Sequence, residues 1–372
     1  LTKQHNRDLV LRTIIENQRI SRADIARATK LTRATVSEVV SGLMAEGLVE
    51  EVGLDTSGNG KPSILLSLVP DSRYLIGLNL GQDKFIGAIV NLSGEIKETV
   101  EVPIVGSDGE KALKFVYEIL NQLLAKGWEP IIGIGIGTPG LVNTREGKVV
   151  DAVNLDWEDL PLASLLQERY GLPVSVLNDS QATAIGEFVY GGHRSESNLI
   201  VINVKHGIGA GILINGQLFQ GDDGSAGEIG HVRVHGNDLP CRCGQIGCLE
   251  TLASAQAVVR RYKELSAEAQ LVSLDEVEKK FVEGDGIARQ VVLEAGHYLG
   301  EFIGFLAATL NIQEIILTGD MTRFGEPWLN AVRQAMLHSA LERLTQNTQL
   351  EVGELDYRAC ILGAAAHFLM DS

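Results

Sequence analysis

The chain is expected to be an α/β protein: a short winged helix-turn-helix front ahead of a larger body of two similar α/β lobes around a cleft. Three observations lead there. The first 68 residues place three helical patterns before a pair of strands. From Tyr74 onward, short β-rich runs separated by glycine alternate with helical patterns. That order then starts again near Leu199. Composition agrees with a folded chain, since 372 residues at 45% hydrophobic and 22% charged exclude wholesale disorder and fibrous classes.

Leu9, Val10, Leu11, Ile14 and Ile15 recur at helical spacing, so a first helix is expected near residues 6–17. Ser21, with Asp24 three residues on, resembles a capping box and starts a second, short helix. Lys30-Leu31 makes a tight connection. Thr32 then caps a third helix from Arg33 to about residue 46, ended by Gly47. Val36, Val39, Val40, Leu43 and Met44 fall on one face of it. Two helices joined by a short turn, the second opening on small polar residues, form the helix-turn-helix pattern. Residues 48–52 and 64–68 read as strands around a hairpin tip at 55–62, which makes a wing. Arg33, Thr35 and Ser37 then face the major groove, and Lys61 at the wing tip reaches phosphates or the minor groove. Arg22 and Thr32 complete the candidate DNA-binding set. Residues 1–68 are the expected DNA-binding unit and residues 69–372 the body.

The net charge of −16 argues against nucleic acid only if taken as one number. Residues 1–33 carry eight basic and three acidic side chains, a net +5. Residues 1–68 stand at +1 and the remainder at −17. The acidic body should repel a duplex and confine contact to the first helices and the wing, through a few salt-sensitive phosphate contacts. No apolar run approaches the length of a membrane span, and the start lacks the hydrophobic stretch of a signal peptide. Three of four cysteines lie within eight positions, which suits a metal site in a reducing compartment better than a secreted disulfide framework. A cytoplasmic protein is expected.

In the body, residues 74–81, 85–91 and 100–105 read as strands, with a helix over about 109–126. A buried strand at 130–137 ends in Thr138-Pro139-Gly140. A short strand at 173–177 runs into Asn178-Asp179 and a helix over about 180–191. Strands at 199–204 and 211–214 restart the order, with helices over 253–264, 287–310 and 325–342 and a strand at 314–320. The letters show no fixed-period repeat.

The strongest constellation is His231 with Cys241, Cys243 and Cys248. Cys-Arg-Cys-Gly-Gln-Ile-Gly-Cys presents three thiolates on a glycine-bent loop, and an imidazole nitrogen completes a tetrahedral Cys3His zinc site with no open position, hence structural. Cys360 stands apart as a core residue. The loop near 231–250 brings Glu228, His231 and Glu250 together, and Asn178-Asp179 is a second polar pair at a strand end. Fixed donors and acceptors of this kind suit sugar hydroxyls, each of which both donates and accepts. Helix caps and surface turns are the alternative use of the same residue types. Asn154 is a further candidate for the cleft wall, with a loop cap as its other role.

Glu-Ile-Gly-His followed by Cys-Arg-Cys-Gly-Gln-Ile-Gly-Cys-Leu-Glu resembles the signature of the ROK family of repressors, open reading frames and sugar kinases. The resemblance covers essentially the whole chain, including the helix-turn-helix that only the repressor branch carries. It implies a two-lobed sugar-kinase/actin-like (ribonuclease H-like) fold for residues 69–372. It also implies sugar binding by Asn178, Asp179, Glu228, His231 and Glu250, and zinc binding by His231 and the three cysteines. His231 would hold the metal through one ring nitrogen and meet the sugar through the other.

In the family's kinases the Asp matching Asp179 is the general base, so the sugar side is kept. The phosphate side is not. Where the kinases have Asp-Ile-Gly-Gly-Thr, this chain has Asn79-Leu80-Gly81-Gln82-Asp83, with a carboxylate in place of a hydroxyl and a bulky amide in place of a glycine. Anion beside polyphosphate is repulsive. Where they have Gly-Thr-Gly-x-Gly, Lys205-His206-Gly207-Ile208-Gly209-Ala210-Gly211 keeps the later glycines and loses the Gly-Thr start. A non-enzymatic, sugar-responsive repressor is therefore expected. Its partners are operator DNA and a sugar effector, and it assembles as a homodimer or dimer of dimers without a membrane. A sugar kinase with Asp179 as base and a regulatory front end is the alternative. Control by a protein partner over a vestigial cleft is a third reading.

Overall fold

The computed structural model describes residues 2–55, 62–104, 109–193, 197–266 and 273–370. The front consists of α1 (Thr2–Asn17), β1 (Ile20–Ser21), α2 (Arg22–Thr29), α3 (Arg33–Ala45), β2 (Val49–Asp55) and β3 (Ser63–Leu68). Both expected caps form: the Ser21 side chain accepts from the Asp24 N–H, and Thr32 from the Thr35 N–H. Lys30 ends α2 in the left-handed region, φ 58°, which turns the chain sharply into α3. Val10, Ile14, Ile25, Val36, Val40 and Leu43 are buried between the three helices. The strands form a sheet in the order β1-β3-β2, with Ile20 opposite Leu66. The two-residue β1 is too short to leave a periodic signal, and α1 begins earlier than its apolar stripe. The wing tip at 56–61, with Lys61, lies outside the described residues.

The body continues with β4 (Tyr74–Leu80), β5 (Lys84–Asn91), β6 (Ile96–Pro103), α4 (Gly109–Leu124), β7 (Ile131–Thr138), β8 (Leu141–Asn143), β9 (Lys148–Ala152), β10 (Trp157–Leu160), α5 (Leu162–Tyr170), β11 (Val174–Asn178) and α6 (Asp179–Tyr190). The second lobe has β12 (Leu199–Val204), β13 (Ile208–Ile214), β14 (Gln217–Leu218), α7 (Glu250–Ala253), α8 (Ala255–Ser266), α9 (Leu274–Val282), α10 (Gly286–Leu310), β15 (Glu314–Thr318), α11 (Gly325–Ser339), α12 (Glu342–Thr345) and β16 (Gln349–Val352). Helix α13 (Arg358–Met370) returns to the first lobe.

The two lobes share one topology. Their sheets run β11-β7-β4-β5-β6 and β16-β15-β12-β13-β14. In each, the first three strands in sequence are antiparallel, and two parallel strands add beside the first of them. The repeat lies in connectivity and register, which explains why no period shows in the letters. Helices α4 and α5 cover one face of the first sheet, while α8, α10 and α11 cover one face of the second. The 25-residue α10 is the one helix among the described residues long and apolar enough to cross a membrane. Its Val291, Leu299 and Ile303 are buried in the core of the second lobe instead.

Between the two sheets lie α6 and α13, packed on each other. A side-chain carbon at Gly363 would stand 1.8 Å from the Ala182 carbonyl oxygen, and one at Gly186 2.0 Å from that of Ala359. Bare backbone is required at both positions for the helices to approach this closely. Ile361, Leu362 and Ala365 of α13 join Leu75, Ile86, Ala88 and Val90 in one apolar cluster with Val10, Ile14, Ile25 and Leu66 of the front. The winged helix is thus seated on the first lobe. It also reaches the second: Arg12 of α1 donates from Nη2 to the Gly216 carbonyl, between β13 and β14, at 3.2 Å.

Candidate functional site

Strand β11 ends at Asn178 and delivers Asp179 into the first turn of α6. The Asn178 Oδ1 accepts from the N–H groups of Ser180 (2.8 Å) and Gln181 (3.4 Å), so it caps the helix. Its Nδ2 donates to the Gly140 carbonyl at 3.0 Å and to Glu228 Oε1 at 3.4 Å, across the cleft. Both alternatives for Asn178 are therefore realised at once: it is a cap and a cleft residue. Gln181, three positions further along and buried, donates to the carbonyls of Gly224 and Ala226, which pins the segment leading to Glu228.

Three carboxylates converge here. Burial pushes the Asp179 carboxyl above its ordinary value, and the Lys205 ammonium pulls it down. Glu228 is raised to about 7, first by burial, then by the negative charges of Asp179 and Glu250. Glu250 opens α7, accepting from the Ile208 N–H through Oε2 at 3.3 Å. Acceptors, a cation and the Asn178 amide around one space are the equipment for binding a polyhydroxylated ligand.

Glu228 leads into the metal group. Its Oε2 lies 3.9 Å from His231 Nε2, while His231 Nδ1 lies 3.6 Å from Cys241 Sγ. Cys243 and Cys248 Sγ are 3.7 Å apart, and the ligand atoms of His231, Cys241, Cys243 and Cys248 all fall within 4.8 Å of one another. A tetrahedron with metal–sulfur bonds of about 2.3 Å and a metal–nitrogen bond of about 2.0 Å has edges of about 3.5–3.8 Å; the two pairs at 3.6 and 3.7 Å match it, and the four groups are gathered closely enough to hold a four-coordinate ion. Burial, then the neighbouring thiols, push Cys248 up to about 12; a bound divalent cation reverses that preference by favouring thiolate. Asn237 holds the loop, donating to the Cys248 carbonyl at 3.1 Å and to Thr251 Oγ1 at 2.9 Å. The outward imidazole nitrogen faces Glu228, so one ring touches both the metal group and the carboxylate group.

Asn154, in the single turn Val153–Leu155, is joined to this region by Arg242, a residue the sequence did not single out. Lys205 was read beside a phosphate turn, yet its charge acts on Asp179. Neither role has a local signature, because each depends on a partner dozens of residues away. Cys360 is buried against Gly137 in the core.

On the phosphate side, Asp83 is exposed at the turn after β4. A side-chain carbon on Gly207 would stand 2.3 Å from Glu250 Oε2. At the front, Arg33 and Ser37 are exposed on α3, whereas Thr35 is half-buried with its hydroxyl 2.8 Å from that of Thr32. Arg22 pairs with Glu51 of the wing strand at 3.0 Å.

A winged helix-turn-helix seated on a duplicated two-lobed body, with a Cys3His group beside carboxylates in the cleft, defines a DNA-binding module built on a sugar-kinase-like scaffold. The chain belongs to the ROK family, whose model matches residues 75–370, and the MarR family model matches residues 9–57. It is 35% identical to the xylose repressor of Caldicellulosiruptor bescii, covering 100% of this chain and 97% of that protein. The crystal structure of a ROK family transcriptional regulator, a homologue of the E. coli MLC protein, superposes with a TM-score of 0.87 at 27% identity, covering 100% of this chain and 97% of the other. A ROK family glucokinase from Streptomyces griseus, in complex with glucose and AMPPNP, superposes with a TM-score of 0.72 at 27% identity, covering 79% and 98%.

Proposed function

We propose that this chain is a sugar-responsive transcriptional repressor of genes for carbohydrate uptake or catabolism. Residues 1–68 bind operator DNA and residues 69–372 bind the effector sugar between the lobes. The observation that carries the reading is the asymmetry of the cleft: the five polar residues of the sugar side converge, while Gln82-Asp83 stands in the first phosphate turn on the same body that carries a winged helix. End-to-end likeness to a xylose repressor supports it and puts xylose at the head of the sugars to test. Asn178, Asp179, Glu228, His231 and Glu250 bind the sugar, with Asn154 on the wall. Zinc on His231, Cys241, Cys243 and Cys248 is structural and orients His231 toward the ligand.

Arg33, Thr35, Ser37, Arg22, Thr32 and Lys61 make the DNA contacts. Two copies related by a two-fold axis place two winged helices on a pseudo-palindromic operator, in the cytoplasm. Sugar entry draws the lobes together and shifts operator affinity by on the order of 1–3 kcal/mol. The test is calorimetric titration with xylose, glucose and N-acetyl hexosamines, run beside a coupled ADP-release assay. Binding of one sugar without turnover is expected. Robust ADP release lost in Asp179→Ala would establish a kinase instead.

A further inference from the structure

The guanidinium of Arg242 spans the space where the lobes face each other. Its Nη1 donates to Asn154 Oδ1 at 2.7 Å, and its Nη2 lies 3.7 Å from Glu250 Oε1. Asn154 belongs to the first lobe, in the turn between β9 and β10. Arg242 and Glu250 belong to the second. The same Nη2 lies 3.8 Å from where a side-chain carbon on Gly207 would be, so the group stands between the carboxylate cluster and the second phosphate turn.

Two features make this more than a surface ion pair. A guanidinium is a planar fork that serves two acceptors in fixed directions, which a lysine ammonium does not. The backbone on both sides of Arg242 belongs to Cys241 and Cys243, so a metal held by those thiolates fixes the root of the side chain. The Arg242 side chain is 39% exposed, so its pairing with Glu250 contributes little by charge alone. What it supplies is geometry.

We propose that Arg242 is a positioning residue: a clasp that fastens the metal loop to Asn154 of the opposite lobe and sets Glu250 for the ligand. The proposal rests on reading the cleft as the sugar site. It has a consequence without sugar as well, since loss of the clasp must loosen each lobe where the other holds it.

The experiment uses the whole 372-residue chain, loaded with zinc, and reads each variant on the opposite lobe. Hydrogen–deuterium exchange at residues 152–156 is followed in Arg242→Lys, and exchange at residues 241–245 in Asn154→Ala. Faster exchange is expected in both, with wild-type zinc content and melting temperature. Asn154→Asp, which keeps an acceptor for the guanidinium, is expected to retain wild-type protection. With the sugar that binds best, each of Arg242→Lys and Asn154→Ala should weaken binding about tenfold, and the double variant no further than either single. Wild-type exchange in both single variants, or losses of sugar affinity that add in the double variant, would overturn the clasp. If the wild-type chain takes no sugar, the effector reading falls, while the exchange arm still judges the clasp.

Discussion

The two lobes are built to one plan and put to different uses. Both have the same five-strand order and the same helix placement. The first lobe spends the face of β4 and β5 that packs on α13, together with α13 itself, on an apolar seat for the winged helix. The second inserts a long loop after β14 that carries Glu228, His231, the three cysteines and Glu250. One lobe thus holds the winged helix and the other the Cys3His group and three of the six candidate sugar residues, so on the proposed function relative motion of the lobes would be the signal. The two are joined where α6 packs on β12 and β13, at Asn178–Glu228, at Arg242–Asn154 and at Arg12–Gly216.

The largest effect is expected where α6 and α13 cross between the sheets. In Gly363→Val a side chain must occupy the place of the Ala182 carbonyl, and destabilisation by more than about 3 kcal/mol is expected in a denaturant melt. A loss under about 1 kcal/mol would mean the helices do not cross as closely as described.

Next comes the metal loop. Cys248→Ser should lower zinc from one per chain to well under one by metal analysis. Sugar affinity should fall by about 100-fold, since outer partners of a metal site already cost 10–100-fold when removed. Operator binding without sugar should stay within about threefold, because Cys248 is buried in the second lobe while the winged helix is seated on β4, β5 and α13 of the first. Lost operator binding would show that the lobes are not divided in this way.

A smaller effect follows from Glu228. Its folded value of about 7 lies above the ordinary 4.5, so the folded state prefers it protonated. The stability this provides is full below about pH 4.5 and lost as pH rises through about 7. Glu228→Gln, which stays neutral, should melt at nearly the wild-type temperature at pH 4.5 and higher than wild type at pH 8. A pH-independent gap between the two would contradict the convergence of Asp179, Glu228 and Glu250. The smallest effect is expected for Arg12→Ala: unchanged sugar affinity and sugar-free operator affinity, with the effect of sugar on the operator reduced about threefold, since one hydrogen bond is of order 1 kcal/mol.

Much of this division was legible in the sequence. Capping by Ser21 and Thr32 marks the helix-turn-helix because local hydrogen bonds leave a local pattern. The Cys3His group was legible because three ligands sit within eight positions. Helix α13 was not expected, although it packs on α6 between the two sheets. It packs against the first sheet, α6 and the front at once, so it is apolar nearly all round and carries no amphipathic stripe. Strands β8 to β10 are too short to show alternation. Arg242, Lys205 and Gln181 act through partners that the fold alone brings near.

The central claim is that a sugar in the cleft changes DNA binding through the lobes. The direct measurement is the operator dissociation constant of the whole 372-residue chain at fixed salt, with and without a saturating concentration of the sugar found by calorimetry. A shift of about 5–150-fold is predicted, abolished in Asp179→Asn, which removes a cleft charge far from the DNA-facing helix. A sugar that binds the wild-type chain and leaves the operator constant within twofold would contradict the account.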